Sequence, residues 1–106
     1  MNFRNSANNQ VGLYNGLNLN ASATDGSYHA LQAVMNAGSS DMNVDGTPTT
    51  GAGGSNSMSG TISTGTISGG QPMTGFICEI GAWNGVAFSS GQSSSMSSNQ
   101  RSYWGF

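Results

Sequence analysis

The sequence predicts an all-β fold: an antiparallel β-sandwich, small or partial, with one short C-terminal helix. Good helix formers are scarce, because the 106 residues include no lysine and one glutamate, whereas turn and strand formers abound. Apolar and polar residues alternate over 11–19, as in a half-buried strand. The Asp45-Gly46 pair separates two short runs, which is typical of a tight hairpin. The length fits a single domain, 1–106.

The low charge excludes several classes of protein. Only 6% of residues are charged and the net charge is −2, against about 25% charged residues in ordinary domains. Arg4 and Arg101 cannot form a basic face for nucleic acid, and no apolar run is long enough to span a membrane. Cys78 can form no internal disulfide and, with the single histidine, no zinc site, so we expect it to be a buried small hydrophobe.

Three elements are predicted in the first part of the chain. The alternation over 11–19 predicts one strand, followed by a turn at 24–27. The segment 28–35 has the length and the mixture of apolar and polar residues expected of a central strand. Another turn is predicted at 37–40. The predicted apolar face of the first strand carries Val11, Leu13, Leu17 and Leu19.

The hairpin comes next. Residues 42–44 and 47–50 are its strands, and Asp45-Gly46 is a type I′ turn, which needs positive φ at both central positions. Pro48 has no backbone N–H to donate to a neighbouring strand, so the second strand of the hairpin is predicted to be an edge strand or a short strand. A loop is predicted over 51–60.

The last part of the chain is predicted to hold a strand and a helix. Residues 75–83 are the densest apolar stretch, which indicates the best-packed core strand. A short capped helix is predicted to start at Ser89 or Ser90 within 88–99. We expect the aromatic end, 101–106, to dock onto the body.

The ordered motifs resemble a known superfamily. Tyr28-His29-x-Leu31-x-Ala33-Val34 is followed by Met42-x-Val44-Asp45-Gly46. This pair resembles the concanavalin A-like lectin/glucanase superfamily in its laminin-G-like form, where an aromatic-His-x-aliphatic strand pairs with one ending in an aliphatic-Asp-Gly turn. Residues 75–84 are similar to its strand running into a terminal Trp, and 99–105 to the helical tail of bacterial and phage members. The resemblance covers roughly 11–106.

This resemblance implies a jelly-roll sandwich and a bacterial or phage protein, which favours an extracellular or virion-associated location. Members are usually longer, so the chain looks like the C-terminal half of one. Few large apolar side chains are available for a core, so the net free energy of folding of such a small sandwich should be close to zero. We therefore expect either a homo-oligomer or missing strands from a larger chain.

Catalysis is not expected. Retaining glycosidases need two carboxylates about 5–5.5 Å apart, but Glu79 has no second acid within three residues. His29 and Asp25 could be combined with many serines, yet the sequence has no nucleophile elbow. We expect the His29 ring to bond a neighbouring backbone group or turn. A glycoside hydrolase remnant is kept as a remote alternative, since the superfamily contains enzymes.

Calcium is the one cofactor that the resemblance admits. Asp41, Asn43 and Asp45 offer oxygen ligands. Ca²⁺ takes six to eight oxygens, which three side chains and some carbonyls meet only in part. The alternative is that these residues shape the turn.

Sugar binding is the functional hypothesis. An exposed aromatic ring can cover the apolar face of a sugar while amide and backbone groups bond its hydroxyls. The candidate residues are Trp83, Asn84, Tyr14, Asn15 and Trp104. The alternative is that Trp83 packs in the core and Trp104 fixes the tail. The neutral polar composition suits a glycan or a second copy as partner. The sequence thus predicts a non-enzymatic, lectin-like recognition module, or else an assembly domain of a virion or surface protein with no ligand pocket.

Overall fold

The computed structural model describes residues 2–7, 10–14, 16–24, 26–54, 66–67, 71–72, 76–83 and 85–106. The described residues are mostly β, with one C-terminal helix. The strands are β1 (Asn2–Ala7), β2 (Gln10–Tyr14), β3 (Asn18–Ser22), β4 (Leu31–Val34), β5 (Ser40–Val44), β6 (Thr47–Gly51), β7 (Thr66–Ile67) and β8 (Gln71–Pro72). A 3₁₀ turn covers Ala37–Ser39, and helix α1 covers Ser90–Trp104.

The strands form antiparallel sheets of neighbours in sequence. Strands β1, β2 and β3 form one sheet in that order, β4, β5 and β6 form a second, and β7 pairs with β8. Sequential antiparallel pairing needs only short connections, which the glycine-rich and asparagine-rich sequence supplies.

The single strand predicted over 11–19 is wrong, because the chain folds back within it. Gly16 has a φ of 100°, a left-handed conformation that suits glycine, and the chain turns there from β2 into β3. The hairpin places Leu13 opposite Leu19, and both are buried. Leu17 lies in the turn and is 54% exposed instead of sharing their face.

The hairpin predicted at 42–50 is confirmed. Asp45 and Gly46 have φ values of 53° and 90°, the two positive angles that a type I′ turn requires. Pro48 lies in β6, at the edge of the β4–β5–β6 sheet and opposite Asn43. Of the loop predicted over 51–60, residues 55–60 lie outside the described residues, while Gly51 ends β6 and Gly53 is buried.

The strand predicted over 28–35 is shorter and differently placed. β4 begins at Leu31 and lies at an edge of its sheet, whereas β5 is central. Residues before Leu31 are tied to the β5–β6 turn instead, since the Asp45 N–H donates to Ala30 O at 3.0 Å and Ala30 N–H donates to Asp45 Oδ1 at 2.9 Å.

The core lies where the two three-stranded sheets meet. Its buried side chains come from both sheets and are Leu13, Leu19, Ala21, Met42 and Val44. Because strand side chains alternate, Met42 and Val44 face this core while Asp41 and Asn43 face the other side of β5. Helix α1 lies on that other side: Asn43 Nδ2 donates to Ser94 Oγ at 3.3 Å, and Gln32 Nε2 to Gln100 Oε1 at 2.7 Å.

The predicted start of the helix is confirmed. Ser89 is its N-cap: Ser89 Oγ accepts from Gln92 N–H at 3.3 Å, and Gln92 Oε1 accepts from Ser89 N–H at 2.9 Å, a complete capping box. Gly105 ends it with a φ of 80°, where its N–H donates to Arg101 O. The helix is longer than predicted and includes Tyr103 and Trp104. Among the described residues, no helix has the length and apolar character to cross a membrane.

The core strand predicted over 75–83 is wrong. Residues 76–83 form no strand, and all of them are exposed, including Cys78, which was predicted to be buried. An alternating pattern indicates that a segment can form a strand. Burial also requires neighbouring elements, and the pattern does not specify these. In the described part of the chain, the shared core is filled from β2, β3 and β5 instead.

Candidate functional site

Two contact groups in the last part of the chain, Trp83 with Phe88 and Glu79 with Tyr103 and Trp104, are together called the aromatic surface here. Trp104 Nε1 donates to Glu79 Oε2 at 3.1 Å, which joins the end of α1 to the segment before it. Trp83 stacks edge-on against Phe88 with ring centroids 5.4 Å apart, and Tyr103 against Trp104 at 5.1 Å. Each pair has the edge-to-face geometry that aromatic rings prefer.

Local sequence positions both tryptophans. Gly81 leaves room for the Trp83 ring, because a Cβ at Gly81 would lie 2.7 Å from Trp83 Cη2. The extension of α1 through Tyr103 presents Trp104 in its last turn, next to the left-handed Gly105. Both rings thus have defined supports while remaining accessible.

The alternative that Trp83 packs in the core is wrong, whereas the hydrogen bond of Trp104 to Glu79 fits the alternative that Trp104 fixes the tail. Trp83 is 55% exposed, so it is not a core residue, and Trp104 is 43% exposed even though its indole N–H is bonded to Glu79. Asn84, predicted beside Trp83, lies outside the described residues. Both tryptophan side chains are thus partly accessible to solvent.

The third predicted aromatic residue is on another element. Tyr14 ends β2, opposite Asn18, in the sheet formed by β1, β2 and β3. Asn15 lies outside the described residues. Tyr14 thus lies on a different element from Trp83, which precedes α1, and from Trp104, which ends α1.

The hydrogen bond between Glu79 and Trp104 was not predicted from the sequence. Glu79 was expected only as a possible catalytic carboxylate, and Trp104 either as a sugar-stacking ring or as the residue that fixes the tail. A pairing across 25 residues between a non-strand segment and a helix end leaves no periodic signal in the sequence. Only the extension of α1 brings the two together.

The three predicted calcium ligands lie on β5 and its turn. Asn43 Oδ1 accepts from Gly46 N–H at 2.8 Å, while Asp45 Oδ1 and Oδ2 bond Ala30 N–H and His29 Nδ1. Asp41 is buried, and neither of its carboxylate oxygens has a hydrogen-bond partner among the described residues. Within the described residues, only the two Asp41 oxygens of the set have no hydrogen bond, and Ca²⁺ takes six to eight oxygen ligands. No group of three or more His, Cys, Asp or Glu suited to a metal occurs in the described residues.

His29 is held between two acceptors. Its Nδ1 lies 2.6 Å from Asp45 Oδ2, and its Nε2 lies 2.8 Å from Thr24 O, so both ring nitrogens donate and the ring suits the charged form. Burial acts to lower the pKa of His29, but the hydrogen bonds to Thr24 and Asp45 outweigh burial and the nearby Arg101, and the pKa is raised.

This geometry confirms that the His29 ring bonds a backbone group and a turn. It differs from a catalytic triad, in which the Nε2 atom accepts a proton from a serine hydroxyl. Here Nε2 donates to the Thr24 carbonyl. Asp25, the other acid considered with His29, lies outside the described residues.

An open pocket of about 220 Å³ lies beside His29. It is smaller than the roughly 300 Å³ at which pockets for small molecules usually begin. Its lining residues are Gln10, Val11, Ala23, Thr24, Gly26, Ser27, His29 and Leu31. Because the polar atoms of His29 are already bonded to Asp45 and Thr24, this pocket is a weaker candidate than the aromatic surface.

Comparisons with family models, with curated proteins and with solved structures found no match to this chain.

Proposed function

We propose that this chain is a non-enzymatic recognition module that binds carbohydrate at the aromatic surface. The observation that carries the proposal is the exposure of both tryptophans, one of which, Trp104, donates its Nε1–H to Glu79 Oε2. An exposed indole face is apolar and rigid, so a sugar ring can stack on it at little entropic cost.

Glu79 would supply the polar part of the recognition. A carboxylate has about four lone-pair sites, and the indole N–H of Trp104 occupies one of them. The remaining sites can accept hydrogen bonds from sugar hydroxyls. The indole N–H also fixes the carboxylate beside the ring, which orders the site before a ligand arrives.

The composition supports a neutral ligand. With 6% charged residues and a net charge of −2, the surface has little long-range attraction for charged partners. Antiparallel sheets meeting at a shared core, with a C-terminal helix, are compatible with the concanavalin A-like jelly-roll sandwich that we propose as the finer fold.

Intrinsic fluorescence tests this proposal directly, because the only two tryptophans of the chain belong to the aromatic surface. We expect a glycan array to identify at least one oligosaccharide, and titration with it to shift the tryptophan emission. Trp83→Ala and Glu79→Gln should weaken binding at least tenfold, whereas the control Leu17→Ala, at an exposed apolar residue of the β2–β3 turn, should not.

Circular dichroism of each variant separates lost binding from lost folding. Trp83 is more than half exposed, so Trp83→Ala should keep the wild-type spectrum. Silence across the array, or equal weakening by Leu17→Ala, would contradict carbohydrate binding and favour the second candidate, an assembly domain. The specific observation that favours this second candidate is the exposed apolar run at 76–83.

A further inference from the structure

Four buried oxygen atoms between helix α1 and strands β4 and β5 have no hydrogen-bond partner among the described residues. They are both carboxylate oxygens of Asp41, Oε1 of Gln32 and Oγ of Ser97, and we call these three side chains the polar layer. Buried polar atoms in folded proteins are ordinarily hydrogen-bonded, and an unpaired one is costly. Within the part of the chain that the structure describes, every unpaired buried side-chain atom belongs to the polar layer, which points to a bound group.

The strand register places Gln32 and Asp41 on one face of the sheet. Gln32 lies directly opposite Asn43, and directly paired residues of antiparallel strands share a face. Asp41 lies two residues before Asn43 on β5, so it has the same face. Gln32 and Asp41 are therefore diagonal neighbours, about 7–8 Å apart at the backbone and within reach of a long side chain.

Helix α1 brings Ser97 over the same part of the sheet. Ser97 lies three residues after Ser94 and three before Gln100, so the three residues share one side of the helix. Ser94 bonds Asn43, and Gln100 bonds Gln32 at 2.7 Å, so both neighbours of Ser97 on this side contact the face that carries Asp41. Ser97 is fully buried between them.

Asp41 requires a counter-charge or a proton. The residue is 7% exposed and both of its oxygens are buried, and a carboxylate in such a place is stable only when it is neutralised. Arg101 and His29 bond Asp45 instead, and Arg4 belongs to β1 in the other sheet. The described residues thus bring no cationic side chain into hydrogen-bond contact with Asp41.

The unpaired atoms have the chemistry of a site for a hard cation. All four are oxygens, the ligand type that such cations take. A water molecule could donate hydrogen bonds to them but would leave the Asp41 charge uncompensated. A monovalent cation makes a site with one carboxylate neutral, whereas a divalent cation would leave a buried positive charge.

We infer that the polar layer binds a monovalent alkali cation, with the Asp41 carboxylate, Gln32 Oε1 and Ser97 Oγ as its protein ligands. Two of these ligands come from the sheet and one from α1. The cation therefore ties the helix to the sheet, and its binding should stabilise the docked helix.

Thermal unfolding in matched salts, followed by the helical circular dichroism signal, tests the inference. The reference salt is choline chloride, whose bulky cation does not fit a small buried site. In about 150 mM sodium or potassium chloride, the wild type should melt about 4 °C or more above its melting temperature in choline chloride. Equal melting temperatures in the three salts would overturn the inference, and this is the result expected if Asp41 holds a proton or the layer holds only water.

Two substitutions of matched charge locate the effect. Asp41→Asn keeps the shape of the side chain and removes its charge, so it should abolish the difference between the salts and raise the melting temperature in choline chloride. The control Glu79→Gln removes the same charge at an exposed residue and should keep the wild-type difference. An Asp41→Asn variant that keeps the difference, or a larger stabilisation by calcium chloride at equal ionic strength, would overturn the inference.

Sodium NMR of the wild type needs no substitution. The folded protein should broaden the sodium resonance, and an excess of potassium chloride should reverse the broadening by competition. Equal linewidths with the folded protein and with the urea-unfolded protein would overturn the inference even if Asp41→Asn failed to fold. Neither measurement uses a glycan, so its outcome is independent of the carbohydrate proposal.

Discussion

His29 Nδ1 lies 2.6 Å from Asp45 Oδ2, so the residues before β4 are fastened to the turn between β5 and β6. Helix α1 reaches the same turn, where Ser94 Oγ donates to Gly46 O at 3.0 Å and Arg101 Nη1 to Asp45 O at 3.4 Å. The Asp45-Gly46 turn is therefore a junction of three parts of the chain.

The His29–Asp45 pair should make stability depend on pH. The folded pKa of His29 is raised above its ordinary value of 6.5. The resulting stabilisation is fully present below the unfolded pKa and is lost as pH rises through the folded pKa. The free energy of unfolding measured with urea should therefore decrease between pH ~6 and pH ~9, and the His29→Gln variant should not show this decrease. Because the chain has one histidine, its NMR titration reads the pKa unambiguously; a value below 6.5 would contradict the prediction.

Gly46→Ala should destabilise the fold by about 1–2 kcal/mol, because an L-residue is strained at a φ of 90°. The matched control is Gly91→Ala, which lies in α1 with open space around the added Cβ. Alanine is the better helix former, and because Gly91 lies in the first turn of α1, we expect a gain below the about 0.5–1 kcal/mol of a helix middle. Equal effects at the two sites in urea titrations would show that the turn geometry is unimportant.

Ser89→Ala should cost about 1 kcal/mol, since it removes the N-cap acceptor of Gln92 N–H and one half of the capping box. Ser95→Ala serves as the comparison. Ser95 Oγ donates to Gly91 O within the same helix, a bond that does not help the helix, so its loss should be neutral or slightly favourable. Thermal melts of the two variants would refute the role of the cap if they coincided.

Leu13→Ala should be the most damaging of these changes. Leu13 is fully buried where the sheets meet, and deletion of such a side chain costs about 2–5 kcal/mol, comparable to the whole stability of a small domain. Leu17→Ala, four residues away at an exposed turn, should change stability by less than about 0.5 kcal/mol. Denaturant midpoints that ranked the two variants in the opposite order would contradict the assigned core.

Local chemistry accounts for what the sequence could predict. Asp45-Gly46 specifies its turn through positive φ values, and Ser89 with Gln92 specifies the start of α1 through mutual hydrogen bonds. Each signal is contained within a few neighbouring residues. Such signals depend mainly on the chemistry of those few residues.

The predictions that were wrong depended on how distant parts of the chain pack together. The pattern at 76–83 suits a strand, but burial depends on whether another strand lies alongside, and this is a property of the whole fold. The single strand predicted over 11–19 was wrong because the chain reverses direction at Gly16. Leu13 and Leu19 are paired across the resulting hairpin and still lie on the same side of the sheet, as they would in one strand. Within the candidate site, the aromatic residues were predictable by type, whereas the contact between Glu79 and Trp104 required the three-dimensional arrangement.

The junction at Asp45-Gly46 has a consequence for the order of folding. Ser94 and Arg101 reach it across 48 and 56 positions in sequence, whereas the β5–β6 hairpin closes a loop of two residues. A helix as rich in serine as α1 has little stability on its own, so we expect the hairpin to form first and the helix to dock afterwards. Closure of that long intervening loop should then set the refolding rate.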